Sequence, residues 1–256
     1  MITSTSNPQV KDLQQLLKKG KARNSQDVFL AEGVKMYLEA PAERIRKIYM
    51  SESLYRERGE ELLRGQNAEI LSDHVYAAVS DTRSPQGIMC VLNQYHYTLE
   101  DMLTAEDPHL LILEDLQDPG NLGTIMRTAE GAGVDGLILS RGCVDLYNPK
   151  TIRSTMGSIY RMPFLYTDAL PELLPVLKER GIHTYAAHLQ GERNYDQEDY
   201  RTGCAFFIGN EGNGLSKGLS RLADTWIRIP MHGKLESLNA AIAASILMYE
   251  VCRQRR

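Results

Sequence analysis

The sequence predicts an α/β protein in two domains, the larger built on a parallel sheet. Three observations carry that prediction. Apolar runs such as HLLILE at 109–114 and CAFFIG at 204–209 are near-continuous rather than alternating, as in strands covered on both faces. Helical spacing fills the gaps between most of the strands, at about residues 122–132, 149–158 and 168–180. A length of 256 residues also exceeds the commonest single domain.

Residues 1–95 form the first expected unit, a small α/β domain. Asn7-Pro8 precedes Val10, Leu13, Leu16 and Leu17, a helix start followed by helical apolar spacing. Lys18 to Arg23 read as a basic turn, and residues 27–33 as a strand running into a helix over 33–40. Segments 46–51, 68–71 and 87–93 are the remaining strand candidates. Residues 96–106 have the composition of a linker, and the second domain spans 107–256. Its strands are expected at 109–114, 136–140, 184–188, 204–209 and 224–230, and an alanine-rich helix at 237–256.

Composition narrows the function classes. Apolar residues make up 43% of the chain, enough for a core, and a net charge of −4 gives no global attraction to nucleic acid. A polyanion must therefore be held by local patches. Residues 1–30 carry Lys11, Lys18, Lys19, Lys21 and Arg23 against Asp12 and Asp27, and residues 141–161 carry Arg141, Lys150, Arg153 and Arg161 against Asp145. Each patch could equally be a solvated face. Cys90, Cys143, Cys204 and Cys252 are scattered without a Cys-x-x-Cys pair, which argues against a metal site and for reduced thiols. No run reaches membrane-spanning length and the first residues lack a secretory apolar stretch, so a cytoplasmic protein is expected.

Three polar segments stand where plain turns would be expected: NLGTIMRTA at 121–129, GNEGNGLS at 209–216 and IPMHGKLESLNAAI at 229–242. Each follows an apolar strand, the place where α/β folds bind ligands. In the first, Asn121 is a candidate helix cap and Arg127 lies further along the same helix; a capped helix with an exposed arginine explains it as well. In the second, three glycines permit close backbone approach, while Glu211 disfavours a phosphate cradle and suits a cationic or hydroxyl-bearing ligand. In the third, Ser237 reads as the helix cap, which leaves Asn239 unexplained inside a first turn. The small residues Ala240, Ala241, Ala243, Ala244 and Ser245 mark close packing, within the chain or across a dimer. GAGVDG at 131–136 matches a dinucleotide-binding fingerprint, but a helix precedes it and a strand follows. That order is reversed, so it reads as a helix end and turn.

Together the three segments resemble the signature motifs of SpoU-type (TrmH-like) RNA ribose 2′-O-methyltransferases of the SPOUT superfamily. The resemblance covers about 107–256, including NPKTIRSTMG at 148–157, and residues 1–95 are similar to the ribosomal-protein-like RNA-binding domain that often precedes it. It implies a parallel sheet closed by a C-terminal deep trefoil knot, which physical reasoning would not propose, since knots are essentially absent from proteins. It implies S-adenosylmethionine held mostly by backbone around His188, Leu189, Gln190, Gly209, Asn210, Gly212, Ile229, Met231 and Leu238. By motif position, Asn121 and Arg127 would meet the ribose and its phosphate, Glu211 would stand near them, and Ser237 and Asn239 would complete the site. A guanidinium stays protonated, so Arg127 is better suited to stabilising a developing alkoxide than to acting as a base.

The implied partners are structured RNA and a second copy of the chain through the last helix, with no metal and no membrane. Ribosomal RNA of the large subunit is preferred as substrate, and transfer RNA is the alternative. A non-catalytic RNA-binding or ribosome-assembly protein is the rival from another class. Intact Asn121, Arg127, Glu211, Ser237 and Asn239 speak against it. A small-molecule nucleotide-binding enzyme is weakened by the reversed glycine order.

Overall fold

The computed structural model describes residues 1–256. The chain begins with helices α1 (Pro8–Lys18) and α2 (Gly20–Gln26), then strand β1 (Val28–Glu32), α3 (Val34–Glu39), β2 (Ile45–Ser51) and α4 (Glu52–Leu63). Strand β3 (Glu69–Leu71), α5 (Asp73–Ala78) and β4 (Ile88–Asn93) follow. After these come β5 (His109–Leu113), α6 (Pro119–Ala132), β6 (Gly136–Ser140), α7 (Pro149–Thr155), β7 (Phe164–Thr167), α8 (Leu170–Glu179) and β8 (His183–Ala187). The last elements are β9 (Arg193–Asn194), β10 (Cys204–Ile208), α9 (Lys217–Ser220), β11 (Thr225–Arg228) and α10 (Ala240–Gln254). No helix is long and apolar enough to cross a membrane.

Contacts divide the chain into two compact units, Met1–Tyr95 with Asp145–Tyr160, and His96–Val144 with Arg161–Arg256. The first holds a four-stranded sheet in the order β1-β4-β2-β3, antiparallel except for β2 with β3. Successive side chains of a strand point to opposite faces, and β1 shows what each face meets. Val28 and Leu30 join a core with Val10, Leu13 and Leu16 of α1. Phe29, between them, stacks on Tyr147 at 4.9 Å, just ahead of α7. Residues 145–160 thus supply the second cover of this sheet.

The basic turn expected at Lys18 to Arg23 is instead a break at Lys19 followed by α2. Arg23 is 3% exposed, so it belongs to the fold rather than to an RNA-binding patch. Its guanidinium donates to the Leu16 and Leu17 carbonyls at the end of α1 and pairs with Asp145. Unpaired carbonyls end every helix, and a buried arginine satisfies two of them here.

The second unit carries a seven-stranded sheet in the order β7-β6-β5-β10-β8-β11-β9, parallel at every pairing. Central β5 and β10 are buried along their whole lengths, as their unbroken apolar runs predict. Leu110, Ile112, Ala205 and Phe207 face a core shared with Leu170 and Leu177 of α8. On the other face Phe206 meets Tyr185 at 5.5 Å and Tyr200 at 5.1 Å. Met102 and Leu103, inside the segment with linker composition, are buried in the same core as Leu110 and Ile112. Helix α10 packs on α6 and reaches β10. Arg255, at its end, donates to the carbonyls of Tyr200, Asp107 and Thr202 at 2.7 to 2.9 Å. The glycine decoy behaves as its order predicts: Gly133 ends α6 with φ of 71°, and Gly136 starts β6.

His109 opens β5 at 1% exposure with its Nε2 unpartnered. Burial, aided by the Arg255 guanidinium, pushes its imidazole down to about 3. An unfolded chain takes up this proton near pH 6.5, whereas the native protein resists until far lower pH. The contribution of His109 to stability is therefore complete above about pH 6.5 and declines as pH falls toward 3, by up to about 1.4 kcal/mol per pH unit. Replacing His109→Phe should flatten that part of the urea-midpoint profile, and an unchanged slope would show that His109 does not cause it.

Candidate active site

The polar segments meet at the C-terminal ends of β5, β10, β8 and β11. Gly209 leaves β10 so close to the returning chain that a Cβ there would lie 2.2 Å from Gly214 C and Leu215 N. Only glycine fits, and the loop it starts is closed by Asn210 and Gly214, whose N–H groups donate to each other's carbonyls at 3.1 and 2.9 Å. The Asn210 side chain is spent within the protein, donating to the Asp115 carbonyl at 2.7 Å and accepting from the Gly212 and Asn213 N–H groups.

Glu211, at the loop's crest, turns toward the start of α6. Its carboxylate accepts from the backbone N–H groups of Gln117 and Asp118 and from Asn121 Nδ2, each at 3.0 Å. Burial alone would raise the Glu211 carboxyl, but these donors outweigh it and hold the group below its usual range. Asn121 Oδ1 in turn accepts from Asn239 Nδ2 at 3.0 Å. Three residues far apart in sequence thus form one chain of hydrogen bonds.

Two helix caps differ from expectation. Asp118 caps α6, its carboxylate accepting from the Asn121 N–H at 2.8 Å, with Pro119 as first helical residue. That cap frees the Asn121 side chain for its other partners. Asn239, not Ser237, caps α10, accepting from the N–H groups of Ala241 and Ile242 at 2.9 and 3.3 Å. The helix starts at Ala240, and Ser237 lies in the loop before it. Arg127 is exposed on α6 and joins none of these bonds.

Beside the network opens a cavity of about 780 Å³. His188, Leu189, Gly209, Asn210, Gly212, Ile229, Met231 and Leu238 line it, together with Glu211 and Ser237. Gln190 does not; its N–H donates to His188 Nδ1 at 3.1 Å and shapes the turn. Ala240, Ala243 and Leu247 of α10 form one wall, so part of the small-residue stripe serves the cavity. Ala241 and Ala244 are buried, while Ile242 and Tyr249 remain 51% and 48% exposed. Sequence reasoning missed Trp226, whose ring lies 4.2 Å from that of His188. It also missed Asp118 as a cap, although Asp-Pro ahead of a helical run is a start signal.

A parallel sheet whose strand-end loops enclose a cavity, with a carboxylate and two amides beside it, defines an α/β protein with a ligand site at the strand ends. The chain belongs to the SpoU rRNA methylase family, whose model matches residues 108–249, and an MRM3-like substrate-binding domain model matches residues 7–90. It is 35% identical over 256 residues to the 23S rRNA (guanosine(2553)-2′-O)-methyltransferase RlmP of Bacillus subtilis, covering 98% of each chain. The AdoMet-bound rRNA methyltransferase of Sinorhizobium meliloti superposes with a TM-score of 0.86 at 31% identity, covering 98% of this chain and 97% of the other. The SpoU methyltransferase AviRb of Streptomyces viridochromogenes, in complex with AdoMet, gives 0.88 at 27% over 97% and 98%. The expected class holds: the protein is an RNA methyltransferase that uses S-adenosylmethionine.

The cavity fits that cofactor. Its volume of about 780 Å³ lies within the range of small-molecule sites. The close return of the chain at Gly209 fixes the loop that lines the cavity, and Glu211 is among the lining residues.

Proposed function

We propose that this protein methylates a ribose 2′-hydroxyl of large-subunit ribosomal RNA. The observation that carries the reading is the match to a 23S rRNA methyltransferase along 98% of both chains, the N-terminal unit included. Solved tRNA-modifying members cover only 61% and 62% of this chain, each with a TM-score of 0.53. Residues 1–95 are the RNA-binding domain in this reading, and Lys11, Lys18, Lys19 and Lys21 are exposed cations near its start. Phosphate contacts of that kind position RNA without specifying its sequence.

The bound cofactor supplies an electrophilic sulfonium methyl group. The protein's part is to place and polarise the attacking hydroxyl. Arg127 holds the adjoining phosphate and stabilises negative charge as it develops on the 2′-oxygen. Glu211 is held ionised by its three donors and fixes the relation of the loop to α6. Asn121 and Asn239 carry that order to the start of α10, and Ser237 completes the RNA side. The cofactor-facing groups are the backbone and side chains around His188, Leu189, Gly209, Asn210, Gly212, Ile229, Met231 and Leu238, with Gln190 shaping the turn.

The same reading includes a knotted C-terminal region, a cytoplasmic site of action and a homodimer. Return of the chain from β11 to α10, beside α6 and β10, supports the knot. Four free thiols suit a reducing compartment. The exposed Ile242 and Tyr249 on α10 support self-association, which sedimentation of the purified chain measures. Ribose-methylation mapping of total RNA from cells with and without this protein tests the substrate. One 2′-O-methyl group should vanish from large-subunit rRNA, and a loss confined to tRNA would overturn the choice.

A further inference from the structure

We infer that Glu114 is a positioning residue that sets cofactor affinity by gripping both ends of the 209–216 loop. The inference rests on the methyltransferase reading for its cofactor arm. Glu114 follows β5, and its N–H donates to the Ile208 carbonyl at 2.9 Å, immediately before the loop leaves β10. Its carboxylate accepts from Ser216 N at 2.6 Å and from Ser216 Oγ at 2.7 Å, at the loop's far end. Ser216 is itself held, since its Oγ accepts from the Leu219 N–H at 3.1 Å as the cap of α9. One residue therefore ties the start of the loop through its backbone and the end through its side chain.

Glu114 does not line the large cavity. It borders a smaller recess of about 160 Å³ with Asp115 and Ser216; Asn210, Asn213 and Gly214 of the loop line both this recess and the large cavity. It therefore acts through the loop. A ligand held by backbone groups depends on where the loop runs, and a loop that must be ordered on binding costs affinity. The two carboxylate oxygens divide the work, Oε2 receiving the Ser216 N–H and Oε1 the hydroxyl. A glutamine retains one acceptor, and its amide donates to the hydroxyl in place of receiving from it.

The test uses the full chain, hydrogen exchange without ligand, S-adenosylmethionine calorimetry and single-turnover methyl transfer. In Glu114→Ala, the amides of residues 210–216 should exchange faster and the dissociation constant should rise about tenfold. Transfer at saturating cofactor should stay within about threefold of the parent, a loss in affinity without a matching loss in rate. Glu114→Gln should recover most of the affinity. Should Glu114→Ala not fold, Ser216→Ala removes the Oγ bond to Glu114 together with the α9 cap, leaves the Ser216 N–H bond in place, and should show the same split, about threefold in affinity. Unchanged exchange and affinity would overturn the inference, as would a glutamine variant no better than alanine or a parallel fall in saturated rate. Absence of cofactor binding by the parent would instead remove the methyltransferase reading, while exchange would still decide whether Glu114 holds the loop.

Discussion

Arg127→Ala should bind S-adenosylmethionine as the parent does and transfer methyl groups about a thousandfold more slowly, in the range for loss of one donor to a developing oxyanion. The two halves of that expectation have separate structural grounds. Arg127 lies outside the cavity wall, so cofactor affinity measured by calorimetry has no reason to change. Its guanidinium is exposed and uncommitted, whereas Asn121, Glu211 and Asn239 are tied to one another. Among the five candidates it is the cation free to meet phosphate and alkoxide. Arg127→Lys retains charge but not the planar fork, and should recover only part of the rate. Full transfer by the alanine variant, followed with labelled cofactor on its RNA, would remove the electrostatic role assigned to Arg127.

Gly209→Ala should abolish cofactor binding rather than weaken transfer. A methyl group at that position meets the backbone of Gly214 and Leu215 at 2.2 Å, and backbone atoms cannot rotate aside as a side chain would. The loop must open, moving Asn210 and Glu211 from their partners. Affinity should fall at least about a hundredfold, and the urea midpoint should report a loss of about 2 kcal/mol, as for an overpacked core. Binding within threefold of the parent would mean that the close approach is not what shapes the site. Gly218→Ala is the control, because it does not line the cavity and the nearest atom to a Cβ there is Ser216 Oγ at 3.8 Å.

Much of this fold was legible where local pattern and tertiary fate agree. Apart from His109, strands β5 and β10 are unbroken apolar runs because both faces are covered, so composition alone located them. Asn7-Pro8 starts α1 as read, because the cap and the fixed φ of proline act within a few residues. The failures have a different physics. Which of Ser237 and Asn239 caps α10 depends on Asn121, 118 residues away, whose Oδ1 receives the Asn239 amide. Asn121 in turn is not a cap because Asp118 fills that place. The membership of residues 145–160 in the first unit rests on Tyr147 meeting Phe29, a contact that local sequence does not encode. The candidate site shows the same division. Motif positions located the loops, but the partners of Glu211 lie 90 or more residues away and only the fold reveals them.

The contact of Trp226 with His188 has a practical consequence. The chain contains a single tryptophan, so its ultraviolet-excited emission at the red edge comes from that one ring. His188 lines the cavity, and whatever occupies the space beside it alters the polarity and quenching that the indole experiences. The protein thus carries its own optical probe of occupancy, and ligand titrations of any variant with Trp226 intact need no label.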